Sequence, residues 1–222
     1  MQLDRGRIRT LLLAAGVLFA RPTWGSLALG CAIVVPGAAL HLWTKGCLRI
    51  GAEVTTSGPY RWVRNPFYLA TLIVDAGLAV VIAEPWVAVV YFPVWLVVHW
   101  VTIRGEERGL TEIFGERYTA YRALVPWLLP WNGRAAGLPP SQGFSWDNPQ
   151  LVAGIEYARL ARTFASPLIV FVGARLFELR TEFAAKATSG DWACAAGLVA
   201  LFALERALVR RSRRRKARLA AI

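Results

Sequence analysis

The feature that most constrains the fold is a series of apolar runs, several of them close to the length that crosses a bilayer. The runs cover residues 8–21, 24–43, 67–83, 86–103, 164–180 and 192–209. A spanning helix needs roughly 20 apolar residues, because the hydrocarbon core of a bilayer is about 30 Å thick. Inside lipid, backbone polar groups must bond within the chain, which such runs achieve as helices. The sequence therefore predicts an all-α, polytopic helical membrane protein.

The composition supports this prediction and excludes a large soluble core. Hydrophobic residues make up 56% of the chain and charged residues only 18%, whereas soluble domains carry about 25% charged residues. Several tryptophans lie near the ends of the apolar runs, where aromatic residues anchor helices at the membrane interface. They are Trp24, Trp43, Trp86, Trp100 and Trp192.

The spacing of the runs predicts four spans up to residue 103, a linker at 135–149 and a C-terminal helical hairpin at 150–222. We expect the first run to be an uncleaved span, because it leads almost directly into the second. Only Glu84 and Pro85 separate runs 67–83 and 86–103, which predicts a tight antiparallel hairpin. Residues 150–163 are amphipathic and precede the moderately apolar run 164–180. The chain ends in a basic segment that we expect to be a solvated tail.

The formal net charge of +12 would suggest nucleic acid for a soluble protein. Here the basic residues are concentrated in segments 44–65 and 104–163 and in the tail. Cytoplasmic loops of membrane proteins carry an excess of lysine and arginine. We therefore expect these segments, both termini and the active site to be cytoplasmic, with membrane lipids and no nucleic acid as partners.

Two polar and aromatic segments are the candidates for chemistry. They are VTTSGPYRWVRNPFYLA at 54–70 and RGEERGLTEIFGERYTAYRALVPWLLPW at 104–131. The predicted hairpin joins them, so both should emerge at the same face of the membrane. A loop and a helix pair that converge there predict a pocket.

Residues 45–131 resemble the superfamily of isoprenylcysteine carboxyl methyltransferases and phospholipid methyltransferases. The order and spacing of the shared motif positions carry this resemblance. They are Gly58, Tyr60, Arg64, Pro66, Tyr68, Glu106, Glu107, Phe114, Gly115, Tyr118, Tyr121, Val125 and Pro126. The resemblance implies an integral membrane enzyme that transfers a methyl group from S-adenosylmethionine to a lipophilic acceptor entering from the bilayer.

The resemblance also implies site residues, and it includes no metal. The catalytic positions are Arg104 and Glu107. The cofactor-binding positions are Val54, Thr55, Tyr60, Arg64, Asn65, Pro66, Tyr68 and Glu106. Adjacent helical residues point about 100° apart, so only one glutamate need face the ligand. We assign that position to Glu106, whose carboxylate suits an ammonium or ribose hydroxyls, and expect Glu107 to pack against an arginine or water.

One position departs from the family pattern, because Asn65 stands where the family usually has histidine. Asparagine keeps a hydrogen-bond donor and acceptor but does not titrate near neutral pH. The change favours a binding role for this position. We expect Tyr118 and Tyr121 to be packing residues. Asp75, an acid in mid-span, is either functional or a neutral acid bonded to a neighbouring helix.

The sequence leaves several alternatives open. The acceptor is an isoprenylcysteine-like carboxylate, a phospholipid amine or a small thiol, and the oligomeric state is open. One rival function is an NADPH-dependent membrane enzyme similar to sterol reductases. The other is a membrane scaffold that lost activity at Asn65. Ligand binding separates the three functions. A methyltransferase should bind S-adenosylhomocysteine, a reductase-like enzyme should bind NADPH, and a scaffold should bind neither.

Overall fold

The structure is a computed structural model that describes residues 14–130, 137–152, 156–179 and 183–219. All regular secondary structure within these ranges is helical, which confirms the all-α prediction. The helices are α1 (Trp24–Cys47), α2 (Pro66–Ile82), α3 (Pro85–Phe114), α4 (Glu116–Leu124), α5 (Pro149–Val152), α6 (Glu156–Leu179), α7 (Phe183–Lys186) and α8 (Ser189–Leu219), with a 3-10 helix at Gly58–Arg61.

Four of these helices, α1, α3, α6 and α8, are long and apolar enough to cross a membrane. Helix α2 is also apolar but has only 17 residues, a length of about 26 Å at 1.5 Å per residue. Residues 8–13 of the expected first span, 8–21, lie outside the described residues, and residues 14–19 are helical. The chain is therefore an integral, multi-pass membrane protein.

Helices α1 and α2 pack closely because glycines face each other across their contact. A Cβ atom on Gly30 would lie 2.6 Å from the carbonyl oxygen of Gly77, and one on Gly77 would lie 2.7 Å from the carbonyl oxygen of Gly30. One on Gly37 would lie 3.1 Å from the carbonyl oxygen of Ala70. Small residues let membrane helices approach at this distance, where dispersion forces replace the hydrophobic effect.

Helices α2 and α3 form the predicted antiparallel hairpin, and its turn is as short as expected. Helix α2 ends at Ile82 and α3 begins at Pro85, with Ala83 in the left-handed conformation at φ 59°. The two helices nevertheless touch in few places, whereas α2 lies against α1 along most of its length. Large side chains rather than close backbone contact therefore connect α2 to α3.

The predicted C-terminal hairpin is confirmed, since α6 and α8 pack along each other. Arg175 Nε lies 3.1 Å from Asp191 Oδ1 near the connecting turn. Arg162 pairs with Glu205 towards the other end. Helix α6 also contacts α1 and α2, which places the hairpin beside the α1–α2 pair, with α8 outermost.

The structure adds two details to the expected hairpin. The amphipathic stretch 150–163 and the apolar run 164–180 are mostly one helix, α6, because the charged residues at its start have partners. Glu156, which is buried, lies 3.0 Å from His41 Nε2 and 3.9 Å from Lys45 Nζ, both on α1. The basic segment predicted as a solvated tail continues α8 without a break to Leu219.

The predicted linker is ordered where it is described, from residue 137 onwards, and binds the loop that follows α1. Thr56 Oγ1 donates a hydrogen bond to the carbonyl of Pro139 at 3.0 Å. Asn148, also buried, donates from Nδ2 to the carbonyls of Gly46 at 2.8 Å and Leu48 at 3.0 Å. The segment therefore fixes the end of α1 and the loop leading to the candidate site.

Candidate functional site

An ion pair between Arg64 and Glu107 joins the two segments that the sequence singled out. Arg64 Nε donates to Glu107 Oε1 at 2.8 Å. The same guanidinium donates from Nη1 to the carbonyls of Arg122 at 2.6 Å and Val125 at 3.0 Å. The backbone N–H of Arg64 donates to the carbonyl of Pro126 at 2.9 Å. One side chain thus holds the loop before α2, the helix α3 and the segment after α4 together.

Glu107 is the buried member of the glutamate pair. Its side chain is 5% exposed and that of Arg64 is 11% exposed. Arg122 Nε lies 3.9 Å from its second oxygen, and Tyr118 is close enough that burial and the charge of Glu107 raise the pKa of its hydroxyl. The packing of Glu107 against arginine expected from the sequence is therefore present, and the positive groups offset the cost of burying its charge.

Glu106 points away from this ion pair and is exposed. Its Oε1 accepts a hydrogen bond from the Tyr68 hydroxyl at 2.8 Å. The pKa of Tyr60 is raised, first by burial and then by the charges of Cys47 and Glu106. Tyr68 thus contacts Glu106 directly, and Tyr60 is close enough for the charge of Glu106 to act on it.

Tyr118 and Tyr121 are packing residues, as predicted, and both are buried with Val125. The Tyr121 hydroxyl donates to the carbonyl of Tyr60 at 2.7 Å. Burial raises the pKa of both Tyr118 and Tyr121, so their hydroxyls stay protonated donors at neutral pH. They tie α4 to the 3-10 helix beneath the site.

The remaining expected cofactor positions differ in what they contact. Asn65 Nδ2 donates to the carbonyl of Trp127 at 3.0 Å and lies 3.5 Å from Glu107 Oε1. Pro66 is the first residue of α2, as the sequence predicts. Val54 packs against the buried tyrosine cluster, and the Thr55 hydroxyl accepts from the backbone N–H of Arg49.

A cavity of about 390 Å³ opens beside the ion pair. Both expected catalytic residues line it, and Arg104 lies over the indole of Trp100, 4.4 Å from the ring centroid. The lining residues are Trp100, Arg104, Glu107, Arg108 and Arg122. Because Arg64 already neutralises Glu107, the three lining arginines give the cavity an excess of positive charge that suits an anionic group.

Sequence reasoning missed three of these residues. Trp100 and Arg108 each lie four residues from Arg104, a spacing that places all three on one face of a helix. That periodicity was a usable signal for both. Arg122 follows the last motif tyrosine and reaches the cavity only because α4 folds back towards α3, so the sequence held no local signal for it.

Residues 47–117 match the model of the phospholipid methyltransferase family. This segment is similar to that family. It includes the Arg64–Glu107 ion pair and Glu106, and it lies within the superfamily that the sequence resembles. The family supports a membrane methyltransferase. Among curated proteins and among solved structures, none matches the chain.

Proposed function

We propose that the protein transfers a methyl group from S-adenosylmethionine to a lipophilic acceptor. One observation carries this proposal. The Arg64–Glu107 ion pair brings the loop before α2 to the Glu106–Glu107 segment, beside a cationic cavity. The family match covers both elements of this arrangement.

The residues present suit the chemical groups of S-adenosylmethionine. The arginines of the cavity suit its carboxylate, and the exposed carboxylate of Glu106 suits its ammonium or ribose hydroxyls. Tyr60 and Tyr68 are both buried, and Tyr68 contributes by holding the carboxylate of Glu106 in place. The cavity volume of about 390 Å³ falls within the range of about 300–1,000 Å³ that ligand pockets occupy.

S-adenosylmethionine supplies a methyl group that its sulfonium already activates. The protein's contribution is therefore alignment more than strong base catalysis. When bound, the donor would give its methyl carbon to the lone pair of the acceptor, keep the carbon–sulfur bond electrons on sulfur and leave as S-adenosylhomocysteine. Arg104 and Glu107 line the cavity where this alignment would be set.

The test uses the purified full chain with donor labelled in its methyl group, in vesicles made from total membrane lipid. The expected result is one labelled lipid, whose identity separates carboxylate, amine and thiol acceptors. Calorimetric titrations with S-adenosylhomocysteine and NADPH accompany it. Binding of NADPH alone would favour the reductase-like function, and binding of neither would favour the scaffold.

Substitutions of Asn65 test its proposed binding role. Asn65→His should keep the affinity for S-adenosylhomocysteine, because an imidazole N–H can replace the donor to Trp127. Asn65→Leu should lose it about tenfold to a hundredfold, since an unpaired polar partner costs about 1–3 kcal/mol. Calorimetry of the three forms measures this. Equal affinities would mean that residue 65 does not support the cofactor site.

The proposed orientation places both termini and the site in the cytoplasm. In a variant without the native cysteines, Ser212→Cys and Ser189→Cys mark the two ends of α8. A membrane-impermeant thiol reagent applied to intact cells should label Ser189→Cys and leave Ser212→Cys unlabelled. Labelling of Ser212→Cys alone would invert the proposed orientation.

A further inference from the structure

The contact between α2 and α3 contains a buried line of polar and aromatic side chains that the candidate site does not use. We define this seam by Asp75, Tyr91, Trp95 and His99, whose exposed fractions are 0%, 4%, 3% and 5%. The three residues of α3 lie four apart and therefore share one face of the helix. The seam extends the site towards the middle of the membrane.

Most polar atoms of the seam have partners. The Tyr91 hydroxyl donates to Asp75 Oδ2 at 2.6 Å, so the acid expected in mid-span is bonded to the neighbouring helix. His99 Nδ1 lies 2.8 Å from the carbonyl oxygen of Trp95, a contact in which the ring N–H donates. The rings of Trp95 and His99 stack with centroids 4.0 Å apart.

Trp95 Nε1 is the exception. It is buried and has no hydrogen-bond partner among the described residues. An indole nitrogen is a donor only, and leaving a buried donor unpaired costs about 1–3 kcal/mol. In hydrocarbon, where no solvent offers an acceptor, this donor indicates a place for a ligand oxygen.

The packing around the seam suits the entry of a lipid. Helices α2 and α3 touch in few places, and partly buried apolar residues, among them Leu72 and Phe92, border the seam. The acyl chain of a lipid can therefore separate α2 from α3 at a lower cost in packing energy than it could separate α1 from α2, whose glycines are in close contact. At its other end the seam reaches the site, because His99 packs on the edge of Tyr68, which bonds Glu106.

The seam and the cationic cavity lie on different faces of α3. Trp100, Arg104 and Arg108 line the cavity, whereas Trp95 and His99 face α2. The two faces meet at the Glu106–Glu107 pair, which contributes one residue to each side. Methyl transfer needs the nucleophile and the leaving sulfur on opposite sides of the methyl carbon, so an acceptor in the seam would approach a methyl group held at the Glu106–Glu107 pair from the side of α2.

We propose that the seam is the acceptor site and that Trp95 Nε1–H donates a hydrogen bond to an oxygen of the acceptor's headgroup. The acceptor is then a lipid with a hydrogen-bond-accepting oxygen next to its nucleophile, its apolar chain lying between α2 and α3. The assignment of this lipid as methyl acceptor rests on the proposed function. The hydrogen bond from Trp95 to a lipid oxygen is independent of the proposed function.

The first test does not need turnover. In the full chain labelled with ¹⁵N and held in detergent micelles, Trp95→Phe identifies the indole signal of Trp95, and the indole of Trp86 serves as the control. Methyl palmitate, hexadecan-1-ol and hexadecane are added separately. The two oxygen-bearing probes should move the Trp95 proton downfield, as a new hydrogen bond does, and hexadecane should not. A Trp95 signal that no oxygen-bearing probe moves, or that hexadecane moves equally, would overturn the proposal.

The second test measures kinetics with the lipid that accepts the label. Trp95→Phe keeps the aromatic packing and removes the donor, so KM for the acceptor should rise about tenfold, which corresponds to about 1.4 kcal/mol. The turnover number and the affinity for S-adenosylhomocysteine should stay within about twofold, as should all three values in the matched control Trp86→Phe. An unchanged KM in Trp95→Phe would refute the acceptor role. If the wild type neither binds S-adenosylhomocysteine nor labels a lipid, the proposed function fails, and the first test still decides whether the seam binds lipid.

Discussion

Glu107→Ala is expected to lower the free energy of unfolding by about 3–5 kcal/mol, the usual cost of removing one partner from a buried ion pair. The substitution leaves the Arg64 guanidinium, only 11% exposed, without its carboxylate. Because the pair joins three segments, the loop before α2 should separate from α3. Equilibrium unfolding in detergent micelles measures the change.

The matched control is Glu112→Ala, which truncates an exposed glutamate on the same helix. It should change stability by no more than about 0.5 kcal/mol. A double variant, Arg64→Gln with Glu107→Gln, should recover part of the loss, since it leaves no unpaired buried charge. If Glu107→Ala costs no more than Glu112→Ala, the ion pair does not hold these segments together.

Glu106→Ala is expected to weaken the binding of S-adenosylhomocysteine by about a hundredfold while the protein stays folded. A hydrogen bond to a charged group contributes about 1.5–3 kcal/mol, so its loss reaches roughly that factor. Stability should change little, because Glu106 is exposed. Calorimetric titration measures the affinity, and equilibrium unfolding confirms the fold.

Tyr68→Phe separates the carboxylate itself from the group that positions it. It removes the hydroxyl that bonds Glu106 and keeps the ring, so the affinity should fall by less than in Glu106→Ala. Glu112→Ala again serves as the control and should bind like the wild type. An affinity unchanged by Glu106→Ala would remove Glu106 from the cofactor site.

The presence of each membrane helix could be predicted from the sequence, because in a membrane helix formation depends only on the apolar run itself. An apolar run in hydrocarbon satisfies its backbone only as a helix, whichever partners surround it. The same locality holds where α2 begins at Pro66 and where the short turn before Pro85 ends the hairpin. The family motif placed Arg64, Glu106 and Glu107 at one site for a similar reason, since a two-helix hairpin returns its ends to one face.

The partners of the charged residues in the C-terminal region could not be predicted from the sequence. The charges of 150–163 resemble those of a surface segment, and only His41 and Lys45, more than 100 residues away in the sequence, show why Glu156 is buried within α6. The docking of residues 137–148 on the loop around Thr56 likewise depends on long-range hydrogen bonds. Neither leaves a periodic signal in the chain.

The sequence by itself determined that this protein is a helical membrane protein with a segment similar to phospholipid methyltransferases, because run length, turn residues and motif spacing are local. Only the tertiary structure decided that Arg64 is the arginine that pairs with Glu107 and that Glu106 bonds Tyr68. It alone brought Arg122 to the cavity and left Trp95 Nε1, between α2 and α3, without a partner among the residues that the structure describes. These features depend on the relative rotation and separation of helices, which are set by side chains that meet across the fold and not by neighbours along the chain.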